Sequence, residues 1–148
     1  MDRITTLYTK EKITALGQDF IDKTLPVADW THEAHLLVAF WHLKQYSKAE
    51  ATCYLRSRII SYNEVVGTKN SPRSGYHETM TLFWIWVVDE FLKRNEGELA
   101  ELANRFLSSK YAERRLPFQF YTRAKIVSIE ARARWTAPDL QSLNFEKI

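Results

Sequence analysis

Glycine and proline are scarce, four of each in 148 residues, which leaves too little material for the repeated tight turns of a β-sandwich or barrel. A single cysteine, Cys53, excludes an intrachain disulfide and fits a reducing, cytoplasmic setting. It falls in a helical stretch, where a buried, inert thiol is expected. No apolar run approaches the roughly 20 residues that span a bilayer. The longest, Met80 to Val88, is bounded by Thr79 and Asp89 and reads as a buried core helix rather than a membrane segment. The stretch from Met1 to Lys10 alternates polar and apolar residues and lacks the pattern of a secretory signal, so export is not expected. Glycine-rich nucleotide or flavin motifs are missing too.

An excess of one charge is slight: the net charge is +3. Much of the basic excess comes late, in Arg114, Arg115, Arg123, Lys125, Arg132 and Arg134, but Glu113 and Glu130 interrupt it and no nucleic-acid motif accompanies it. A solvated helical face is the expectation, not a nucleic-acid surface. What the chain does have is 45% apolar and 26% charged residues, with 14% aromatics and five tryptophans. That composition describes a globular protein with an aromatic-rich interior, and the length suits one domain over residues 1–148.

Periodicity predicts an all-α, single-domain helical bundle of about five or six helices. A first helix over Lys10 to Lys23 carries the apolar stripe Ile13, Leu16, Phe20 and Ile21, and Pro26 follows it. A second, over Thr31 to Tyr46, is apolar on nearly every side, as a central helix would be. Ser47 and Glu50 have capping-box spacing, so a third begins there and ends at Gly67. A fourth runs from Tyr76 to Arg94, with Ser74 as its cap, and a fifth from Glu98 to Ser108. One or two shorter helices fall between Leu116 and Trp135. Trp84 and Trp86 point to different sides of one helix, so they cannot share a wall, and most of the five tryptophans are assigned to the core.

Short connections make consecutive helices antiparallel, which gathers three helix ends. They bring His32 and His35, then Tyr62, Asn63 and Glu64, then His77 and Glu78. His32 and His35 are three apart and share a helical face, close enough to hold one metal ion, and His77 would supply a third nitrogen. Zinc or iron is the expected divalent metal. Glu64 or Glu78 would be a fourth ligand or the base that moves protons, while Tyr62 or Arg73 would orient a small-molecule substrate, with Asn63 beside them. Hydrolysis and redox iron chemistry both remain open. The competing reading is a metal-free ligand-binding or interaction module in which the same side chains knit helix ends together. Neither the HExxH pattern nor a cysteine ligand set is present. His42 is read as a satisfied core histidine, and a homodimer is compatible with either reading.

At Trp30-Thr31-His32-Glu33-Ala34-His35 and Gly75-Tyr76-His77-Glu78-Thr79, with the closing Glu130-Ala131-Arg132-Ala133-Arg134-Trp135 and Pro138-Asp139-Leu140, the chain resembles a family of small uncharacterised bacterial proteins. The likeness runs from Trp30 onward and implies a shared fold and a shared site around these motifs, with no substrate attached. A looser analogy is the DinB-like bundle, which binds a metal through three histidines; the paired late histidines of those proteins have no counterpart here.

Overall fold

A computed structural model describes residues 7–148. The reading of the first ten residues as free of an export pattern falls largely on residues 1–6, which lie outside those described. Among the described residues there are seven α-helices and no strand: α1 Lys10–Asp22, α2 His32–Gln45, α3 Lys48–Val66, α4 Glu78–Arg94, α5 Leu99–Leu107, α6 Arg123–Ile126 and α7 Ile129–Ala133. No helix among them is long and apolar enough to cross a membrane.

The helix starts follow local chemistry. The side chains of Thr9, Thr31 and Ser47 each accept a hydrogen bond from the amide three residues on, and Glu50 returns the bond to the Ser47 amide, completing the capping box. Gly67, at φ 82°, closes α3 in the left-handed conformation. α2 is the central helix: Leu36, Leu37, Val38 and Phe40 are each 1% exposed, so apolar side chains leave it in every direction. It packs against α1, α3, α4 and α5. Each such side chain contributes about 1.5–3 kcal/mol on burial.

His42, on the inner side of α2, is fully buried and fully bonded, as expected. Its Nδ1–H donates to the Val38 carbonyl and its Nε2 accepts from Arg58, whose guanidinium stacks over Tyr54.

The segment after α5 folds back over α4. α7 packs on α4, and Thr79 joins the two regions: its hydroxyl donates to the Arg134 carbonyl and accepts from the Thr136 amide. Buried Tyr121 donates to the Thr136 carbonyl at 2.6 Å, and Asp139 accepts from both the amide and hydroxyl of Thr122.

Three expectations change. Cys53 is exposed rather than buried, because the core-facing positions of α3 are taken by Ala51, Leu55, Tyr62 and Asn63. α4 begins at Glu78, and its cap is His77, whose ring accepts from the Met80 amide; Ser74 instead closes a turn on Ser71 and Lys69. The tryptophans border the core without entering it: Trp30, Trp41, Trp84 and Trp86 are partly buried, and Trp135 is 41% exposed.

Candidate functional site

The cap that starts α2 and the cap that starts α4 place His32, His35 and His77 around one cavity of about 680 Å³. Its floor and walls are apolar, from α2, α3 and α4, with Leu55, Ile59, Met80 and Ile85 among the lining side chains. Trp30 and Trp84 form aromatic sides. His35 stacks on Trp30 at 3.7 Å between ring centroids, and Trp30 stacks in turn on Phe20. His32 meets Trp84 edge-on at 5.1 Å.

The loop before α4 is set by Asn70. Its side-chain oxygen accepts from Asn63 and from the Tyr76 amide, while its amide group donates to the Ile60 carbonyl. Gly75 permits this tight pass: at φ +76°, a Cβ there would lie 2.5 Å from the Asn70 oxygen.

Backbone partners fix each imidazole tautomer, because a carbonyl oxygen only accepts. His32 Nε2–H donates to the Ala112 carbonyl at 2.9 Å, leaving the lone pair on Nδ1. His35 Nδ1–H donates to the Thr31 carbonyl at 2.7 Å, leaving it on Nε2. His77 is used at both nitrogens: Nε2–H donates to Ile126, and Nδ1 accepts from Met80. All three rings are held neutral. Burial pushes each below the ordinary histidine value, His35 to about 4, with positive Arg114 adding to the effect at His32 and His35 and Arg132 at His77. His35 is crowded by protein yet keeps an open face, as a ring on a concave wall does.

Of the residues singled out in the sequence, His32, His35, His77 and Asn63 meet at the cavity. Tyr62 does not; it is fully buried, its hydroxyl donating to the Leu25 carbonyl at 2.8 Å. Glu64 is exposed on α3, and Arg73 is exposed in the loop. Glu78 is turned to Arg56, whose Nε lies 3.0 Å from both carboxylate oxygens, and it also accepts from the Tyr76 hydroxyl. None of these four lines the cavity.

Two residues were missed. Arg114 and Arg132 both border the cavity, although their sequence setting reads as a solvated basic face. Arg132 Nη1 donates to the carbonyl of Gly75 at 2.8 Å, tying α7 to the loop before α4. Among the described residues no group of three or more His, Cys, Asp or Glu is arranged to hold a metal ion. His32 and His35 retain the nitrogens such a role needs, whereas His77 would have to leave both of its partners. No serine, cysteine, lysine or carboxylate is among the described cavity residues; its hydroxyls come from Thr31, Thr68, Tyr76 and Thr81. No family model, curated protein or solved structure matches this chain.

Proposed function

We propose that the protein binds a small organic molecule in the cavity between the start of α2, the end of α3 and the start of α4, without requiring a metal. The observation that carries this reading is the cavity itself. About 680 Å³ lies within the roughly 300–1,000 Å³ of small-molecule sites, and an apolar lining with a few fixed polar groups is their usual make-up. The two imidazole lone pairs, on His32 Nδ1 and His35 Nε2, act as hydrogen-bond acceptors for a ligand O–H or N–H. A ring held neutral with its tautomer fixed by the backbone is suited to that task over the whole physiological pH range.

A second reading, a mononuclear zinc or iron site serving hydrolytic or redox chemistry, is favoured by one observation: the same two lone pairs lie without partners among the described residues, on rings already deprotonated. The two readings separate by titration. A fragment library of neutral, cationic and anionic compounds is screened by NMR, with the indole N–H signals of Trp30 and Trp84 as reporters, in buffer with chelator and in buffer with zinc or ferrous iron. The binding reading expects cavity-directed fragments with chelator present, and their loss in Ile59→Trp, which fills the space. Fragment binding that appears only with metal would transfer the site to the second reading, and no cavity binding under any condition would contradict both.

A further inference from the structure

We infer that the ligand is an organic anion with an apolar body, a carboxylate in the simplest case, whose charge is received by Arg114 and Arg132. This rests on the cavity being a ligand site and names the class of ligand it takes.

The inference starts from a charge imbalance. None of the described residues lining the cavity is an aspartate or glutamate, yet two guanidiniums border it. Four other arginines have carboxylate partners, Arg56 with Glu78, Arg94 with Glu90, Arg105 with Glu101 and Arg134 with Glu130, while Arg58, Arg73, Arg115 and Arg123 have none among the described residues and none of these lines the cavity. Arg114 makes no hydrogen bond or ion pair among the described residues, and Arg132 contacts only the carbonyls of Gly75 and Tyr76. Glu130 lies two residues from Arg132 but bonds Arg134, on the same helical face, and Glu113 is exposed. Two unpaired cations at the edge of a low-dielectric concavity focus a positive potential into it. Burial is the main cause that disfavours the charged forms of His32, His35 and His77; Arg114 adds to it at His32 and His35 and Arg132 at His77, with Glu33 and Glu113 opposing it at His32. A ligand anion would neutralise this field, and guanidinium forks match carboxylates with paired hydrogen bonds.

The walls set the rest of the ligand. Trp30, Trp84, Met80 and Ile59 offer apolar and aromatic surface. An inorganic anion would meet the two guanidiniums but leave this apolar surface uncovered. A flat or compact, largely hydrocarbon body that carries one O–H or N–H for the imidazole lone pairs fills the same space favourably, at about 25 cal/mol per Å² of apolar surface buried. The exposed position of Arg114 places the charged group toward the mouth, with the body inward.

The test uses four probes on the full chain: 2-naphthoate, 2-naphthamide, 2-naphthylmethylammonium and inorganic phosphate, each titrated by NMR against the Trp30 and Trp84 indole signals. Naphthoate should bind about tenfold or more tighter than the amide, the scale of one charge-assisted hydrogen bond, while the ammonium and phosphate bind weakest. Arg114→Gln should weaken naphthoate about tenfold and leave the amide unchanged. Arg114 has no partner among the described residues, so this variant should keep its thermal stability. Arg132→Lys, which retains the charge, should weaken naphthoate less than Arg132→Gln. Equal binding of naphthoate and naphthamide, or unchanged naphthoate affinity in Arg114→Gln, would overturn the anion assignment while leaving the cavity a ligand site. Phosphate binding as tight as naphthoate would overturn the apolar body. No cavity response to any probe would remove the ligand reading and, with it, this inference.

Discussion

His77 joins two parts of the chain that are distant in sequence, and its replacement should register as stability. Its Nδ1 accepts from the Met80 amide, capping α4, and its Nε2–H donates at 2.7 Å to the Ile126 carbonyl, tying α4 to α6. His77→Ala removes both. Loss of the cap costs about 1 kcal/mol, and leaving the Ile126 carbonyl without its partner costs about 1–3 kcal/mol. The sum, about 2–4 kcal/mol, corresponds to a fall in Tm of about 5–15 °C for a chain of this size. His77→Asn keeps a capping acceptor and loses only the reach to Ile126, so its Tm should fall between the other two. Both are measured by calorimetry and urea unfolding in chelator. The pH dependence carries a sign. Because the folded pKa of His77 lies below the ordinary 6.5, the unfolded chain binds the extra proton as pH falls below 6.5, and the wild type then loses stability that the alanine variant never had. The deficit of His77→Ala should shrink on acidification. A deficit under about 0.5 kcal/mol at pH 7.5 would refute the assignment of His77 as a structural link; a variant of unchanged Tm that had lost tight zinc binding would favour ligation instead.

Further outcomes follow from the same contacts. Tyr62→Phe strips the hydroxyl from the buried Leu25 carbonyl and should lower stability by about 1–2 kcal/mol in urea melts while leaving naphthoate affinity unchanged; a large affinity loss would place Tyr62 in the site after all. His42 is fully buried and its pKa is pushed down to about 4. Its contribution is therefore complete above pH 6.5 and is lost as pH falls from 6.5 to 4, by up to about 3 kcal/mol. His42→Gln should flatten that part of the stability–pH profile by close to one proton, and an unaltered slope would contradict it. Cys53, exposed on α3, should be alkylated by a maleimide in the native protein as fast as in urea; strong native protection would contradict its placement.

Much of the bundle is legible in the sequence because its helix boundaries are written locally. The Ser47–Glu50 capping box starts α3 and Gly67 ends it as their spacing indicates, and the all-round apolarity of α2 marks the central helix. The gathering of His32, His35, Asn63 and His77 also follows from antiparallel order alone. What fails is resolution within a turn. Successive helical residues point about 100° apart, so Asn63 faces the cavity while Tyr62 enters the core and Glu64 meets solvent. Glu78 sits beside His77 but is drawn away by Arg56, 22 residues earlier, a partner that no local pattern announces. Arg114 and Arg132 were hidden for the opposite reason: they belong to segments that reach the cavity only by folding back over α4, and their sequence neighbourhood is an ordinary run of mixed charge. The one available signal was the clustering of basic residues between Arg114 and Arg134, with too few acids beside it to balance them.

The central claim, that this cavity receives a small organic molecule, is tested most directly by intermolecular NOEs from bound 2-naphthoate to the unlabelled-filtered signals of labelled protein in chelator. Cross-peaks from the naphthyl protons to the rings of Trp30, His35 and Trp84 and to the Met80 methyl are the predicted result. Saturable binding whose cross-peaks fall only on side chains outside the cavity, or no binding at millimolar ligand, would contradict it.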